Sequence, residues 1–516
     1  MERFVDRHQG QIVGSISGFD RMLIRGTVRS ISNVEGMGKF LSSQRVLLKD
    51  FGAYAKRLSD GLKEHVEQVY GKSERPYLYL QSTGKSKEEI AEEICQKDRI
   101  DEGLVCVLAA LELNWSFDIE RNGEKKHLQL VSRQRKCLHF YFYYMDREFG
   151  LMHVRLQSWL PFSIQVCVNG REWLARQMDR AGIGYKKHQN SFTWIDKLDK
   201  AQQILTRLEE QGWIRMLHQF ARGVNCYQKK NNTVRLNNYY WTVIQAEFAT
   251  DILFDSAASL QAIYPALVHH AIEQFHTKDV LRFLGRRTNR LFSGKATSTM
   301  VERIEGVRVK HWIEQNSIKM YDKAGSILRV ETTLNNPRPF KTRRRVLERG
   351  KYRLKWLRMR KGIVDIRRHS ELCRAANYRY LDALAVVDSP DPSHQVLDPL
   401  CQRIRYNNRN YRGLNPIAKR DCPFFQAMLR GEHSIQGFRN RDICKALHLH
   451  HPCDRELRRH ATAHVSRRLA LYRAHGLIAR IPGTHRYRVT KKGHAAMPLA
   501  LKLRTASMTS LAKKSC

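Results

Sequence analysis

The stretch RIEGVRVKHWIEQNSIKMYDKAGSILRVETTLN, Arg303 to Asn335, decides how this chain is read. It holds three β-type segments, R-V-K-H-W, S-I-K-M-Y-D-K and S-I-L-R-V-E-T-T-L, separated by the turn residues Glu314-Gln315-Asn316 and Ala324-Gly325. In the second segment Ile318 and Met320 share a face, which sends Lys319, Tyr321 and Lys323 to the other. In the third, Leu328, Val330, Thr332 and Leu334 lie on one side and Arg329 and Glu331 on the opposite one. If the apolar faces pack on a common core, Lys319, Tyr321, Lys323, Arg329 and Glu331 form one polar patch on a rigid sheet. Such a patch suits phosphate chemistry. It is also what a solvated sheet face with cross-strand charge pairs looks like, and spacing alone does not separate the two.

Around this stretch the chain runs to 516 residues, enough for several domains with sizeable cores. No apolar run approaches the roughly 18 residues of a spanning helix, so a soluble protein with no membrane partner is expected. The first residues, MERFVDRHQG, have no apolar signal-peptide core, which makes a cytoplasmic location the expectation. Charge is the strongest global signal: 91 Lys+Arg against 50 Asp+Glu leave +41. A balance of that size repels itself unless a polyanion neutralises it, so nucleic acid is the expected partner. Eleven cysteines occur singly with no C-x-x-C pair, the pattern of reduced thiols rather than zinc ribbons. The run His448, His450, His451 and Cys453 reads as a loop, since no second ligand pair accompanies it.

In chain order, residues 11–30 read as two strands around a Gly18-Phe19-Asp20 turn, and Gly36 to Tyr70 as a long amphipathic helix. A strand (Tyr77 to Gln81), a charged helix (Lys85 to Lys97) and a strand (Leu104 to Leu111) then follow in βαβ order, with a hairpin turned at Asn122-Gly123. Two more strands (Leu151 to Trp159, Ser163 to Val168) lead to a helix behind Asn169-Gly170. Tyr141, Tyr143, Tyr144 and Trp159, beside Arg147 and Arg155, read as core, with base stacking as the alternative. Residues 196–222 and 241–290 are mostly helical in pattern. There Glu247 and Asp251, four apart, share a helix face, and with Glu331 they would make an oxygen-rich site for Mg²⁺ or Mn²⁺; an ordinary acidic helix surface is the other reading.

Residues 341–368 are about half Lys and Arg, so Arg343, Arg344 and Arg345 are expected to meet phosphates and set the salt dependence of binding. Glu371 to Val387 reads as a helix and 388–398 as a linker. Residues 421–500 give the order helix, helix (Arg455 to His475), glycine stop and basic ribbon, the order of a winged helix. In the second helix Leu457, Ala461, Val465, Leu469 and Tyr472 form the buried stripe, leaving Arg458, Arg459, Ser466, Arg467 and Arg473 outward, with His485 and Arg486 on the ribbon, as candidate DNA contacts. The fold class is therefore α+β: a mixed sheet core with long helices, plus a C-terminal winged helix-turn-helix domain. The expected domains are 1–135 (α/β), 136–340 (central α+β core), 341–400 (basic helical segment and linker), 421–500 (winged helix) and 501–516 (tail).

Three resemblances enter on particular motifs. Ser466 to Thr490, S-R-R-L-A-L-Y-R-A-H-G-L-I-A-R-I-P-G-T-H-R-Y-R-V-T, resembles the winged-helix domains of MarR-type regulators. Ser17 to Arg21 (S-G-F-D-R), Ser158 to Phe162 (S-W-L-P-F), Glu247 to Asp251 (E-F-A-T-D) and Glu305 to His311 (E-G-V-R-V-K-H) resemble a bacterial family of about this length with no assigned activity. Lys319 to Lys323 (K-M-Y-D-K) with Leu328 to Glu331 (L-R-V-E) is similar to a pattern in rolling-circle replication initiators of plasmids and filamentous phages. That resemblance implies a metal held by the strand glutamate and a tyrosine that attacks a DNA phosphate. No strand of the pattern histidine, hydrophobe, histidine accompanies it.

Three functions are consistent with these residues. The leading one is a DNA-binding protein of a mobile element or plasmid that nicks or joins DNA: Tyr321 as nucleophile, Mg²⁺ on Glu331 with Glu247 or Asp251, and Lys319, Lys323 and Arg329 clamping the phosphate. A second is a non-enzymatic winged-helix transcription regulator with a large sensing or dimerising N-terminal part. A third is a transposase using Asp20, Asp251 and Glu331 as a carboxylate triad. RNA in place of DNA at the core, and a homodimer, stay open.

Overall fold

In the computed structural model the described residues are 1–81, 84–123, 127–229, 234, 236–286, 294–303, 306–348, 350–385, 393–430, 433, 437–449 and 454–505. The chain opens with helix α1 (Glu2–Arg7), strand β1 (Ile12–Thr27) and helices α2 (Val34–Ser43) and α3 (Phe51–Lys72). It continues through β2 (Tyr77–Tyr79), α4 (Lys87–Lys97), β3 (Gly103–Arg121), β4 (Leu128–Asp146), β5 (Gly150–Gln157), β6 (Ile164–Asn169) and α5 (Gly170–Arg180). Then come β7 (Tyr185–His188), β8 (Ser191–Ile195), α6 (Leu198–Arg207), α7 (Trp213–Val224), β9 (Tyr240–Phe254), α8 (Ala257–Glu273) and α9 (Thr277–Phe283). Strands β10 (Ala296–Arg303), β11 (Gly306–Ile313), β12 (Asn316–Lys323), β13 (Ile327–Leu334), β14 (Lys341–Glu348) and β15 (Lys351–Arg358) precede α10 (Ile366–Leu384). The last part holds α11 (Ser393–Cys401), β16 (Ile404–Tyr406), β17 (Arg409–Tyr411), α12 (Cys422–Met428), α13 (Asn440–Ala446), α14 (Arg455–Ala474), β18 (Ile478–Arg480), β19 (Tyr487–Val489) and α15 (Lys491–Thr505).

One 11-stranded sheet organises the molecule, in the order β10-β11-β12-β13-β9-β1-β6-β5-β4-β3-β2. Only β2 and β3 run parallel, joined through α4 as the expected βαβ unit; Ser86 and Glu89 close a capping box on that helix. The architecture is thus α+β with a mixed sheet. The three strands read from Arg303 to Asn335 form β11, β12 and β13, and β13 is buried along its whole length. Strands β13, β9 and β1 lie mid-sheet and are covered on both faces. Helix α10 crosses one face, where Asn377 Nδ2 donates to the Phe248 carbonyl (3.0 Å) and to Thr250 Oγ1 (3.1 Å). On the other face α6 lies so close to β1 that a Cβ on Gly18 would sit 2.4 Å from Leu205 Cδ2.

Several expectations change here. Gly18 marks that close approach and not a turn, so 12–27 is one strand; its register against β9 shifts at Ile12/Gly14, Phe19/Met22 and Leu23/Ile24. Residues 240–254, read as helix, are the central strand β9, because a strand covered on both faces loses its alternation and leaves only its Tyr, Trp, Val and Ile content as a signal. The long helix expected from Gly36 to Tyr70 divides into α2 and α3. A boundary at 135/136 would cut β4, which pairs with β3 and with β5, so strands from both sides of it share one sheet. Residues 341–358 form the hairpin β14–β15 rather than a helical segment. Of the expected linker 388–398, residues 388–392 lie outside the described residues and the rest belongs to α11.

A second core, with Phe424, Phe425, Phe438, Ile443, Val465, Leu469, Tyr472 and Met497, unites α12 to α15 with β18 and β19; it also takes in Leu397 and Leu400 from α11, ahead of the expected start at 421. Helix α15 runs into the expected tail as far as Thr505. Residues 506–516, and His450, His451 and Cys453, lie outside the described residues. Among the described residues no helix is long and apolar enough to cross a membrane.

Candidate nucleic-acid interface and the buried charge cluster

The register of the sheet brings the sequence-predicted patch together. Across β12 and β13 Lys319 faces Glu331 and Tyr321 faces Arg329; across β13 and β9 Arg329 faces Asp251 and Thr333 faces Glu247. Partners across a ladder share a face, so Glu247 and Asp251 do join Glu331, by the period of a strand and not of a helix. The bulge in β1 turns Asp20 toward the same place. Helix α5, capped by the Asn169 side chain, adds Arg171, and the β7–β8 turn adds Gln189 and Asn190.

These groups pair largely with one another, although Asp20 Oδ1, Glu331 Oε1 and the Nε and Nη1 of Arg171 are buried without a hydrogen bond. Arg329 donates to both oxygens of Asp251, from Nε to Oδ1 (2.6 Å) and from Nη2 to Oδ2 (2.9 Å). It also donates to Asp20 Oδ2 (3.0 Å) and to the Asn190 carbonyl (2.7 Å). Arg171 Nη2 lies 3.1 Å from Asp251 Oδ2 and donates to the Ala249 carbonyl. Lys319 Nζ stands 2.8 Å from Glu331 Oε1, Tyr321 Oη donates to Glu331 Oε2 (3.0 Å), and Lys323 Nζ donates to Gln189 Oε1 (2.8 Å). Arg171, Arg329 and Asp251 are 0 % exposed and Glu331 1 %, so the centre of the patch is buried, while Lys319, Tyr321 and Glu247 at its edge are half-buried and Gln189 is exposed.

The electrostatics follow from burial. Burial by itself raises the Asp251 carboxyl, but Arg329 and Arg171 outweigh it and hold the group below the ordinary carboxylate range. Asp20 goes the other way: burial, with Glu331 and Asp251 nearby, raises it against the pull of Arg329, and its Oδ1 accepts no hydrogen bond. Burial and the charge of Glu331 also raise Glu247. Tyr321 is pushed well above the usual phenol range by burial first and Glu331 second. The phenol therefore stays protonated and donates to Glu331, the opposite of what a tyrosinate nucleophile needs.

The donor set does not fit Mg²⁺ or Mn²⁺. Both oxygens of Asp251 are taken by guanidinium groups and both of Glu331 by Lys319 and Tyr321. The carboxylates Asp20, Glu247, Asp251 and Glu331 already stand against the cations Arg171, Lys319, Lys323 and Arg329. A divalent ion there would add charge beside two buried arginines and displace their hydrogen bonds. Among the described residues no group of three or more His, Cys, Asp or Glu is placed to hold a metal. Arg171, Gln189 and Asn190, absent from the sequence reading, carry no local signal, since only packing brings them to the sheet.

The second basic region behaves differently. In α14, Val465, Leu469 and Tyr472 are buried as expected, but Leu457 is 48 % exposed and Ala461 half-buried, so the first half of the helix runs out past its core. Arg458, Arg459 and Arg467 are exposed there, and among the described residues none of them pairs with a carboxylate. Ser466 is held by Asn440 Nδ2 at 2.7 Å, which ties α13 to α14. Arg473 is not outward: it is half-buried, 5.6 Å over the Tyr406 ring.

On the ribbon β18–β19, turned at Gly483 (φ 66°), His485 is exposed and Arg486 half-buried. Arg480 and Arg488 are exposed on its strands, two positions the sequence reading passed over although strand alternation around Tyr487 and Val489 points Arg488 outward. Of the three arginines at the head of β14, Arg343 is buried and paired with Asp442 (2.7 Å) and Arg344 with Asp365 (2.8 Å). Only Arg345 of the three is exposed. Tyr141 and Tyr143 are buried in the sheet, so they offer no stacking platform. No protein-family model matches the chain, and neither does any curated protein or solved structure.

Proposed function

We propose that this chain is a non-enzymatic DNA-binding protein of the regulator type, which holds duplex DNA through a winged helix built from α12 to α14 and the ribbon β18–β19. The observation that carries the reading is that Arg458, Arg459 and Arg467 of α14 are exposed and, among the described residues, paired with no carboxylate, while Arg480, His485 and Arg488 of the ribbon are exposed as well. A helix of this length and charge, standing on a core that fixes its orientation, suits a major groove, and a basic ribbon beside it suits the adjoining backbone. The nicking reading loses its donors, because the carboxylates it needs are neutralised within the protein.

A gel-shift titration of the full chain tests this. Arg459→Ala with Arg467→Ala is expected to weaken duplex binding by about 1–3 kcal/mol per specific contact, with equal binding in Mg²⁺ and in EDTA. Unchanged affinity in the double variant removes α14 as the reading helix. Strand cleavage that depends on a metal overturns the non-enzymatic reading.

A further inference from the structure

The hairpin β14–β15 belongs to neither core, and it exposes arginine and lysine together with large apolar side chains. Its strands pair only with each other, so the ribbon stands off the large sheet. Its base is fixed: Phe340 and Met359 are buried and joined by a backbone hydrogen bond of 2.9 Å, Arg344 pairs with Asp365, and Arg343 reaches across to Asp442 on α13. Beyond that base the register places Arg345 opposite Leu354 and Leu347 opposite Tyr352, on the same face as Arg343. All four are exposed, Tyr352 at 74 %, Leu347 at 61 % and Leu354 at 49 %. The face that meets the C-terminal unit at Arg343 therefore continues outward as a strip of arginine, leucine and tyrosine.

We infer that β14–β15 is a second arm that enters a groove of the same duplex held by α14, with its cations on phosphates and Leu347 and Tyr352 against the base edges. The inference rests on the DNA-binding reading of the C-terminal unit and deepens it. Charge selects the occupant. Each of β14 and β15 is rich in Lys and Arg, Glu348 is the one acid in the two strands, and it is matched by Lys355 at 2.6 Å. A second copy of this basic chain, at +41, would be repelled, whereas a polyanion is drawn in. Shape agrees, because a major groove admits a two-stranded ribbon, and apolar side chains at the end of a basic surface are the kind that wedge against base steps. The four residues of each strand beyond Arg344 span about 13 Å, or roughly four base pairs. The Arg343 to Asp442 pair sets this arm beside the first.

Footprinting and salt titration of the full chain on duplex DNA test the arm. The variant Arg345→Ala, Leu347→Ser, Lys351→Ala, Tyr352→Ser changes only exposed side chains, and its urea midpoint, measured alongside, is expected to match the unchanged protein. The footprint should shorten by about four base pairs on one flank, affinity should fall about tenfold or more, and the slope of log K against log salt should flatten by about two units. A parallel Arg459→Ala, Arg467→Ala variant keeps the two ideas separate. If it loses binding while the ribbon variant keeps footprint and slope, the arm is wrong and the winged-helix reading stands. If the full chain binds no duplex, both fall. Ribbon-dependent binding to single-stranded RNA alone, or to vesicles of anionic lipid alone, overturns the arm in favour of that partner.

Discussion

The buried cluster under the sheet and the exposed face of α14 are both rich in arginine, yet they are built in opposite ways. Arg329 and Arg171 lie in a closed layer where each guanidinium reaches a carboxylate or a carbonyl, at distances of 2.6–3.1 Å. Arg459 and Arg467 stand in solvent with no carboxylate, on a helix half of which extends beyond its own core. A buried charge must be neutralised on the spot, because the desolvation cost is several kcal/mol per ion. An exposed one need not be, and a surplus left exposed is available to a ligand. Residue type alone would have given both regions the same function; neutralisation separates them.

The most severe way to break the comparison is to remove the centre of the buried cluster. Arg329→Leu strands Asp251 and Asp20 without their main partner, and is expected to cost about 3–5 kcal/mol of stability, read as a fall in the urea midpoint. Arg459→Ala, on the exposed face, should stay within about 0.5 kcal/mol. A cost below about 1 kcal/mol for Arg329→Leu would mean that the cluster is not part of the architecture and is free to serve chemistry.

A second prediction uses pH. His311 is fully buried between Ser298 Oγ (2.8 Å from Nδ1) and Tyr380 Oη (3.2 Å from Nε2), and burial lowers its pKa from the usual 6.5 to about 4. The unfolded chain takes up the proton near 6.5 while the folded one resists until about 4. The stability from keeping this ring neutral is therefore complete above 6.5 and is lost as pH falls toward 4. At pH 5 the loss is about 2 kcal/mol from this residue. His139 and His153, also lowered by burial, add to it in the same sense. Comparing urea midpoints at pH 7.5 and 5 for the unchanged protein and for His311→Gln isolates the term. If the two respond alike, His311 is not the group that titrates.

How much of this was legible follows from where each signal lives. The strands β11 to β13 could be read because turn residues bound them and one face alternates cleanly through Ile318, Met320, Leu328 and Val330. Strand β9 could not, since both faces of the mid-sheet are covered and Glu247 and Asp251, four apart among its apolar residues, fit a helix face as well as a strand. The face shared by Lys319, Tyr321, Arg329 and Glu331 was a matter of parity, which sequence holds. Whether that face is open depends on Arg171, Gln189 and Asn190, which arrive from more than a hundred residues earlier with no mark of their own. The same limit applies to Arg343, whose partner Asp442 lies in another core. Exposure of α14 was legible as a surplus of arginine, but the rise of Leu457 out of the core was not, because a stripe of apolar residues does not say where its partner surface ends.

The smallest expected effect bears on the sharpest question. Tyr321→Phe removes one hydrogen bond, from Oη to Glu331 Oε2 at 3.0 Å, and keeps the ring against β13. Glu331 retains Lys319 at 2.8 Å, so its charge stays matched and the cost should be about 1.5 kcal/mol, the lower end for one hydrogen bond to a charged group. Glu331→Gln should cost more, since it leaves the Lys319 ammonium, its side chain 15 % exposed, beside a neutral amide. Neither substitution touches α14 or the ribbons, so DNA affinity and its salt slope should be unchanged in both. If Tyr321→Phe instead abolishes a covalent adduct with DNA while leaving the urea midpoint where it was, the phenol belongs to a reaction. The buried cluster would then be a site that opens and not a brace, and the contrast drawn between the two arginine-rich regions would fail at its centre.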